Sequence, residues 1–390
     1  MLAEIIVYTF SGVFVGIAAS FVPGLFYSEL GLLFFGFLSG IQAAIFIASS
    51  AVAFSIFEFV TTNIFEIGDD ITSLSIGNKF EMENLSRIAR TVSLGAIISL
   101  FLSIPLVFVF QDLFSIVQTT VKSSLLVILV AIILYTIVSE TTFPRKIFAV
   151  LIFSMTGIFG ITIQKSGFLP SNLLLMPVFI GMFGFSSIIA RKHTPKNVVL
   201  PISLKEKIRV SLIAFGTSLF AIFIPSMKRS QTSAITLGLG KFDQSETVLF
   251  ALSIISISFL IVSLIALSSN SVRSTLAYDI SEISEGLSFN QVLILLGSFI
   301  LATICSIAIL LNFVKILDKI VPHINEKYLK TFGFLCGCLL IIYFTNWKGA
   351  LLAVTATSIG TLAIKLKIRS AHLMGVLLVP TLLRLAGIQI

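Results

Sequence analysis

Charge is what this 390-residue sequence has least of. Asp, Glu, Lys and Arg make up only 11 % of it and apolar residues 57 %, whereas soluble globular chains average about 25 % charged. The mean hydropathy is +1.09 for a mass of 42.4 kDa. So few polar groups cannot cover the surface of a water-soluble protein of this size. An ordinary soluble enzyme and a disordered chain are excluded. Histidine and cysteine occur three times each. Cys336 and Cys338 are two apart in an apolar run and do not share a helix face. Cys305 stands alone, so neither a redox pair nor a metal site is expected. The sequence also lacks a Gly-x-x-x-x-Gly-Lys phosphate loop and a His-Glu-x-x-His or Cys-x-x-Cys pattern, so it carries no built-in ATPase and no zinc site. Nothing resembles a channel filter. No cofactor is expected, and a transient Na⁺ is the one metal ion in play.

Long apolar runs fill the space that charge leaves. They fall at about 6–25, 30–62, 91–110, 122–139, 147–163, 171–190, 210–226, 230–240, 247–268, 291–312, 331–345, 349–364 and 372–388. About 20 apolar residues span a bilayer, so the pattern predicts an all-α polytopic membrane protein with about 10–12 transmembrane helices. The first run has no basic flank and no clear cleavage site, which reads as retained structure and not as a signal peptide. Run 30–62 is too long for one span and is expected to break near Ser39-Gly40.

The two ends of the chain resemble each other. Residues 191–209 form a linker with six basic residues and one acidic one. On each side an apolar run ends at a proline in a small polar turn, Phe21-Val-Pro-Gly-Leu-Phe-Tyr-Ser-Glu29 and Phe223-Ile-Pro-Ser-Met-Lys-Arg-Ser-Gln231. A shift of 202 residues superposes Pro23 on Pro225, Ser28 on Ser230 and Glu29 on Gln231. Each half continues with a further apolar run, a long polar loop (63–90 and 269–290) and four more runs. The reading is two repeats, 1–190 and 210–390, each with a broken or re-entrant helix at its proline turn (21–29 and 223–233). Seven segments per half invert the second repeat relative to the first, a plan common among secondary transporters.

Charge gives the orientation. The net charge is +8, from 26 basic and 18 acidic residues, and the basic residues cluster between apolar runs, as anchors against headgroups do. A nucleic-acid surface is not indicated. With 191–209 cytoplasmic, Lys315, Lys319, Lys327 and Lys330, and then Lys365, Lys367 and Arg369, also fall inside, as the positive-inside rule requires. Loop 269–290, with one basic and three acidic residues, falls outside. Loop 63–90 falls inside although it carries five acidic residues against three basic.

Candidate functional residues gather at the breaks. A helix broken at membrane depth presents N–H groups to anions and carbonyls to cations. Pro23, Gly24, Ser28 and Glu29 mark the first break; Ser226, Lys228, Arg229, Ser230 and Gln231 mark the second. Lys228 and Arg229 are positioned either to neutralise an anionic substrate or to meet headgroups at the surface. Asn63 and Asn270 sit near equivalent places in the two halves, and Arg273 is a second anion anchor. Asp69 and Asp70 are candidates for the coupling cation or for a helix cap. Glu58 lies inside an apolar run, where a carboxylate needs a partner; it and Glu29 join the ion-coupling set. His372 titrates in a range suited to proton coupling, though a polar cluster is equally natural at the start of a last helix.

Four stretches carry a family resemblance: Gly12-Val-Phe-Val-Gly16 leading to Pro23-Gly24, Gly68-Asp-Asp-Ile-Thr-Ser-Leu-Ser-Ile-Gly77, Gly181-Met-Phe-Gly-Phe185, and Arg369-Ser-Ala-His-Leu-Met-Gly375 followed by Pro380. The sequence resembles the TctA family, the large membrane subunit of tripartite tricarboxylate transporters, and looks closest to its short archaeal branch. It departs from the pattern at Pro225-Ser226, where the family has a second Pro-Gly, and at Glu66-Ile-Gly-Asp69. The resemblance implies secondary, ion-coupled uptake of citrate or another carboxylate, with a small membrane subunit and an extracytoplasmic binding protein as partners. The expectation is a cell-membrane secondary transporter of a small organic anion, driven by Na⁺ or H⁺ through alternating access, as a single chain or a homo-oligomer. A lipid or lipid-phosphate translocase and a non-transporting scaffold are the alternatives that the residues leave open.

Overall fold

The computed structural model of the chain describes residues 2–22, 25, 40–65, 71, 84–109, 117, 124–170, 173–190, 202–224, 227–242, 244–267, 275–284 and 287–388. Among these residues the fold is all α. In chain order the helices are α1 (Leu2–Ser20), α2 (Gly40–Phe65), α3 (Leu85–Ser103), α4 (Leu125–Val138), α5 (Phe143–Lys165), α6 (Leu175–Ala190), α7 (Leu204–Ala221), α8 (Arg229–Gly240), α9 (Ser245–Leu267), α10 (Thr275–Ser284), α11 (Phe289–Ile320), α12 (Glu326–Lys365) and α13 (Ser370–Leu385). Seven are long and apolar enough to cross a bilayer: α1, α2, α3 with its extension to Val109, α5, α9, α11 and α12. The sequence led us to expect about 10–12 crossings; α4, α6 and α13 are apolar but shorter.

Local chemistry sets the ends of these helices. Asn84, Ser203 and Asn325 accept hydrogen bonds from the backbone N–H of Arg87, Glu206 and Lys327, which satisfies N–H groups that have no partner within the helix. Pro144 opens α5, where its missing N–H costs nothing. The apolar runs 331–345 and 349–364 are two helices that meet at a sharp kink at Asn346, whose φ is 54° and ψ −157°, and together make up α12. Asparagine tolerates positive φ better than most residues. In α6 the six residues Ile180–Phe185 form a π-helical turn, and there Gly181 lets the backbone approach Ala353 of α12.

Two helices form the centre. α2 and α9 are buried along their whole spanning length, whereas α12 is mostly exposed, as a lipid-facing helix should be. Around them the helices pack in parallel pairs. α3 runs beside α9, with Arg87 at Glu246, Gly95 at Ser253 and Ser99 donating to the Ile254 carbonyl at 3.1 Å. α5 runs beside α13, from Thr156 at the His372 carbonyl to Gln164 at Arg384. α6 packs on both halves of α12, with Phe185 against Phe334 and Gly181 against Ala353, and α2 packs on α11. Small residues allow these contacts. A Cβ on Gly16 would overlap the Ser50 backbone of α2, and one on Gly160 the Val376 backbone of α13. Lipid chains are as apolar as leucine, so close van der Waals contact, and not exclusion from water, holds helices together within a membrane.

The helix ends sort by charge. One end collects the starts of α3, α5, α7, α9, α12 and α13 and the finishes of α8 and α11. Here Ser86 meets Asp318, Thr247 meets Glu206, and Arg209 donates to the Gly240 carbonyl. This basic end carries most of the described Lys and Arg residues. At the far end lie Lys165, Arg384, Trp347 and Lys348, the last two packed on Phe168.

The glycine contacts generate a prediction. Gly16→Val and Gly160→Val each force a neighbouring helix backbone outward, and overpacking of this kind costs about 1–3 kcal/mol. Thermal unfolding in detergent should register each loss, whereas Gly216→Ala, at a position with open space around it, should leave the melting temperature near that of the parent.

Candidate functional site

The site is built on a half-length helix. α7 and α8 form an antiparallel hairpin whose open ends meet where Arg209 Nη2 donates to the Gly240 carbonyl at 3.2 Å; further in, Thr217 and Thr236 hydroxyls lie 2.6 Å apart. α8 has 12 residues, so it is roughly 18 Å long, too short for a hydrocarbon layer of about 30 Å. Its C-terminus is at the basic end and its N-terminus stops inside the protein. Ser256, the neighbour of that N-terminus, stands near the midpoint of the 23-residue α9.

Arg229 opens α8 and is 1 % exposed. Its guanidinium meets the Glu58 carboxylate of α2 in a forked pair, Nη1 to Oε1 at 3.0 Å and Nη2 to Oε2 at 3.3 Å. Nη1 also donates to Ser55 Oγ at 2.9 Å. Ser256 Oγ bridges from α9, 3.5 Å from Nη1 and 3.4 Å from Glu58 Oε1. Glu58 is 2 % exposed. A lone charge at this depth is expensive, and each partner cancels the cost of the other. The planar fork of arginine suits a carboxylate in a way that lysine does not. The pair thus joins the tip of the α7–α8 hairpin to both central helices.

The first turn of α8 is polar and buried throughout. The Gln231 side-chain carbonyl accepts from the Lys228 N–H at 2.8 Å. That leaves Gln231 Nε2 buried, with no hydrogen-bond partner among the described residues. The Lys228 ammonium lies over the Phe179 ring, 4.6 Å from its centroid, beside the π-helical turn of α6. The α8 dipole adds partial positive charge at this terminus.

A second charged cluster lies at the other end of α8. Glu140, between α4 and α5, is 4 % exposed. His372 Nε2 is 3.1 Å from Glu140 Oε1, the Arg369 backbone N–H donates to the same oxygen at 3.4 Å, and Arg369 Nε is 3.8 Å away. Burial pushes the Glu140 carboxyl up, but the His372 hydrogen bond and the Arg369 charge outweigh it and hold the group below the usual carboxylate range. The Ser370–Met374 turn of this cluster packs against α8.

Sequence reasoning named Glu58 and Arg229 for separate tasks, ion coupling and anion binding; the structure brings them into one pair. Lys228, Ser230 and Gln231 stand beside that pair. Asn63 is half-buried, five residues beyond Glu58 on α2. His372 is at the basic end, held by Glu140. Pro23, Gly24, Ser28, Glu29, Asp69, Asp70, Ser226, Asn270 and Arg273 lie outside the described residues. Three participants were missed: Ser55, Ser256 and Glu140. Ser55 was findable, since it is three residues from Glu58 and shares its helix face. Ser256 had no signal, because hydroxyls are frequent along α9. Glu140 sits between apolar runs in Ser139-Glu-Thr-Thr142, where it reads as an ordinary turn.

The model of the tripartite tricarboxylate transporter TctA family matches residues 6–375. An uncharacterized protein of Methanocaldococcus jannaschii is 25 % identical over 402 residues, an alignment that covers 98 % of this chain and 97 % of that protein. No solved structure matches.

Two outcomes follow from the charged clusters. Glu58→Ala leaves a buried guanidinium without its carboxylate, which costs about 3–5 kcal/mol, whereas removing both charges with apolar residues of similar volume is often close to neutral. Thermal unfolding should therefore rank Glu58→Ala well below the double variant Glu58→Leu/Arg229→Met. At the second cluster the folded Glu140 value is depressed, so its contribution is present at neutral pH and is lost as the pH falls through that value, below 4.5. Glu140→Gln should flatten the acid limb of a stability-against-pH profile.

Proposed function

We propose that this chain, which belongs to the tripartite tricarboxylate transporter TctA family, is a secondary active transporter of a small organic anion, a di- or tricarboxylate, driven by a Na⁺ or proton gradient. The family is one of transporters and not of enzymes, and seven helices of spanning length make the chain a multi-pass membrane protein. The observation that carries the reading is the Arg229–Glu58 pair at the buried N-terminus of α8. An arginine fork that holds a side-chain carboxylate can hold a substrate carboxylate in the same way. Gln231 Nε2 offers a further buried donor beside it.

Coupling follows from competition. While Glu58 is ionised it occupies Arg229 and the site is neutral. A proton or cation that neutralises Glu58 releases the guanidinium to the substrate. When the substrate leaves, Glu58 recaptures Arg229. An anion entering without the cation meets an arginine already engaged, so the two move together.

The two-repeat plan supports alternating access. α1, α2, α3, α5 and α6 correspond in order to α7, α9, α11, the second half of α12, and α13. Packing is reciprocal under that correspondence: α3 on α9 matches α11 on α2, and α5 on α13 matches α12 on α6. α9 runs away from the basic end, while α2 ends near Phe313, beside Phe21 and Phe65, and so runs toward it. Opposed directions of this kind favour an inverted repeat, with 191–209 as the linker and the site between the halves. The excess of Lys and Arg at the basic end favours a cytoplasmic position for it. A tripartite system implies a small membrane subunit and an extracytoplasmic binding protein as partners, and homo-oligomers fit the same plan.

The test is uptake of radiolabelled citrate and succinate into liposomes under an imposed Na⁺ or proton gradient. Wild type should show gradient-dependent uptake. Truncating one partner of a buried charge pair costs about 2–5 kcal/mol, so Arg229→Gln should slow uptake by roughly 100-fold or more. Glu58→Gln should retain anion binding but lose dependence on the gradient. Unchanged uptake by a folded Arg229→Gln variant would sink this reading.

A further inference from the structure

We propose that the cavity between α3, α7 and α9 at the basic end binds the phosphate group of an anionic phospholipid. The cavity measures about 430 Å³, and Asn84, Arg87, Arg90, Thr91, Lys207 and Glu246 line its polar part. It is separate from the Arg229 site.

The charge of the cavity is unbalanced. Arg87 Nη2 lies 2.7 Å from Glu246 Oε2, and that pair cancels. Arg90 is exposed and Lys207 half-buried. Among the described residues neither side chain has an ion-pair or hydrogen-bond partner. Two positive charges therefore face the open cavity. α3, α7 and α9 all begin here, at Leu85, Leu204 and Ser245, and the positive ends of three helix dipoles add to the same field. The Asn84 and Thr91 side chains supply neutral polar groups between the cations.

The surroundings favour an amphiphile over a soluble anion. Leu94 and Phe250 continue the wall of the cavity as apolar surface. On α7, Leu204, Ile208 and Leu212 are 75 %, 55 % and 62 % exposed; on α3, Ile97 and Phe101 are 52 % and 75 % exposed. Each set repeats every four residues, so each forms a stripe down one helix face. Ile97 and Phe101 continue the face of α3 that Arg90 and Leu94 turn to the cavity, and on α7 the stripe passes through Leu204 and Ile208, next to the cavity-lining Lys207. A headgroup phosphate between Arg90 and Lys207 would sit at the level of the helix starts, with its acyl chains along the stripes below. Basic pockets between membrane helices recognise anionic headgroups by this combination. Because α7 is the outer arm of the hairpin that ends in Arg229, a lipid bridging α3 and α7 would hold that hairpin against the central helices.

The test compares lipids on the full chain in detergent, read by native mass spectrometry and by melting temperature. Phosphatidylglycerol should bind and raise the melting temperature; phosphatidylcholine, with its compensating choline, should do neither. Each basic residue near an anionic surface contributes about 1 kcal/mol, so Arg90→Gln/Lys207→Gln should weaken phosphatidylglycerol binding by roughly 30-fold. Neither side chain has a partner to lose, so the lipid-free melting temperature should stay at the parent value, which shows that the variant is folded. The charge-matched control Lys146→Gln/Lys365→Gln, elsewhere at the basic end, should bind phosphatidylglycerol like the parent. Equal binding of the two lipids would overturn the proposal. So would undiminished phosphatidylglycerol binding by the Arg90→Gln/Lys207→Gln variant. Inorganic phosphate or citrate binding as tightly as phosphatidylglycerol would assign the cavity to a soluble anion instead.

Discussion

A guanidinium stable only with a carboxylate at its side organises the middle of this protein. Arg229 cannot reach water from the buried tip of the α7–α8 hairpin, and Glu58 cannot reach water from the centre of α2. Neither is affordable alone in a medium of low dielectric. Their pairing obliges three elements to converge: the start of α8, the serine-bearing face of α2 and the midpoint of α9. A charge pair of this kind contributes little net stability over an apolar core. In the proposed transport cycle its value is that one member is exchanged, because a substrate carboxylate of suitable shape satisfies the same fork.

The rest of the fold keeps the surroundings of the pair close-packed. Gly12 and Gly16 bring α1 onto α2, and Gly157 and Gly160 bring α5 onto α13. Serine and threonine hydroxyls are numerous in the central helices, and Ser50, Thr61, Ser253 and Ser263 return a hydrogen bond to a carbonyl three or four residues earlier. They are small enough for tight packing. α12 uses the same means, with Thr345 and Thr357 returned to the Ile341 and Ala353 carbonyls and Gly360 against the Met182 backbone of α6.

Apart from Lys228 beside the central pair, the described charges gather at the two ends of the helix bundle. The Glu140–Arg369–His372 cluster ties the α4–α5 turn to the start of α13 and touches α8. α8 therefore has a charge pair at its N-terminus and a charged junction beside its C-terminal half. The hairpin is held at both levels, which is what a half-helix too short to span requires.

Much of this was legible in the sequence. Apolar runs of about 20 residues read as membrane helices, because in lipid the helix alone satisfies its backbone groups within one segment. The proline turn before Lys228 announced a break, and a lone carboxylate at Glu58 announced a partner. What the sequence could not supply was the partner's identity. Glu58 and Arg229 are 171 residues apart, and hydropathy and helical periodicity are local properties that carry no distance across the fold. Ser256 looked like any other hydroxyl of α9 and Glu140 like any turn residue. The sequence by itself determined that the chain lies in a membrane, where its helices run and which residues were too costly to leave unpaired. Only the tertiary structure decided which charge answers which, because pairing at depth is set by how helices from the two halves pack against each other.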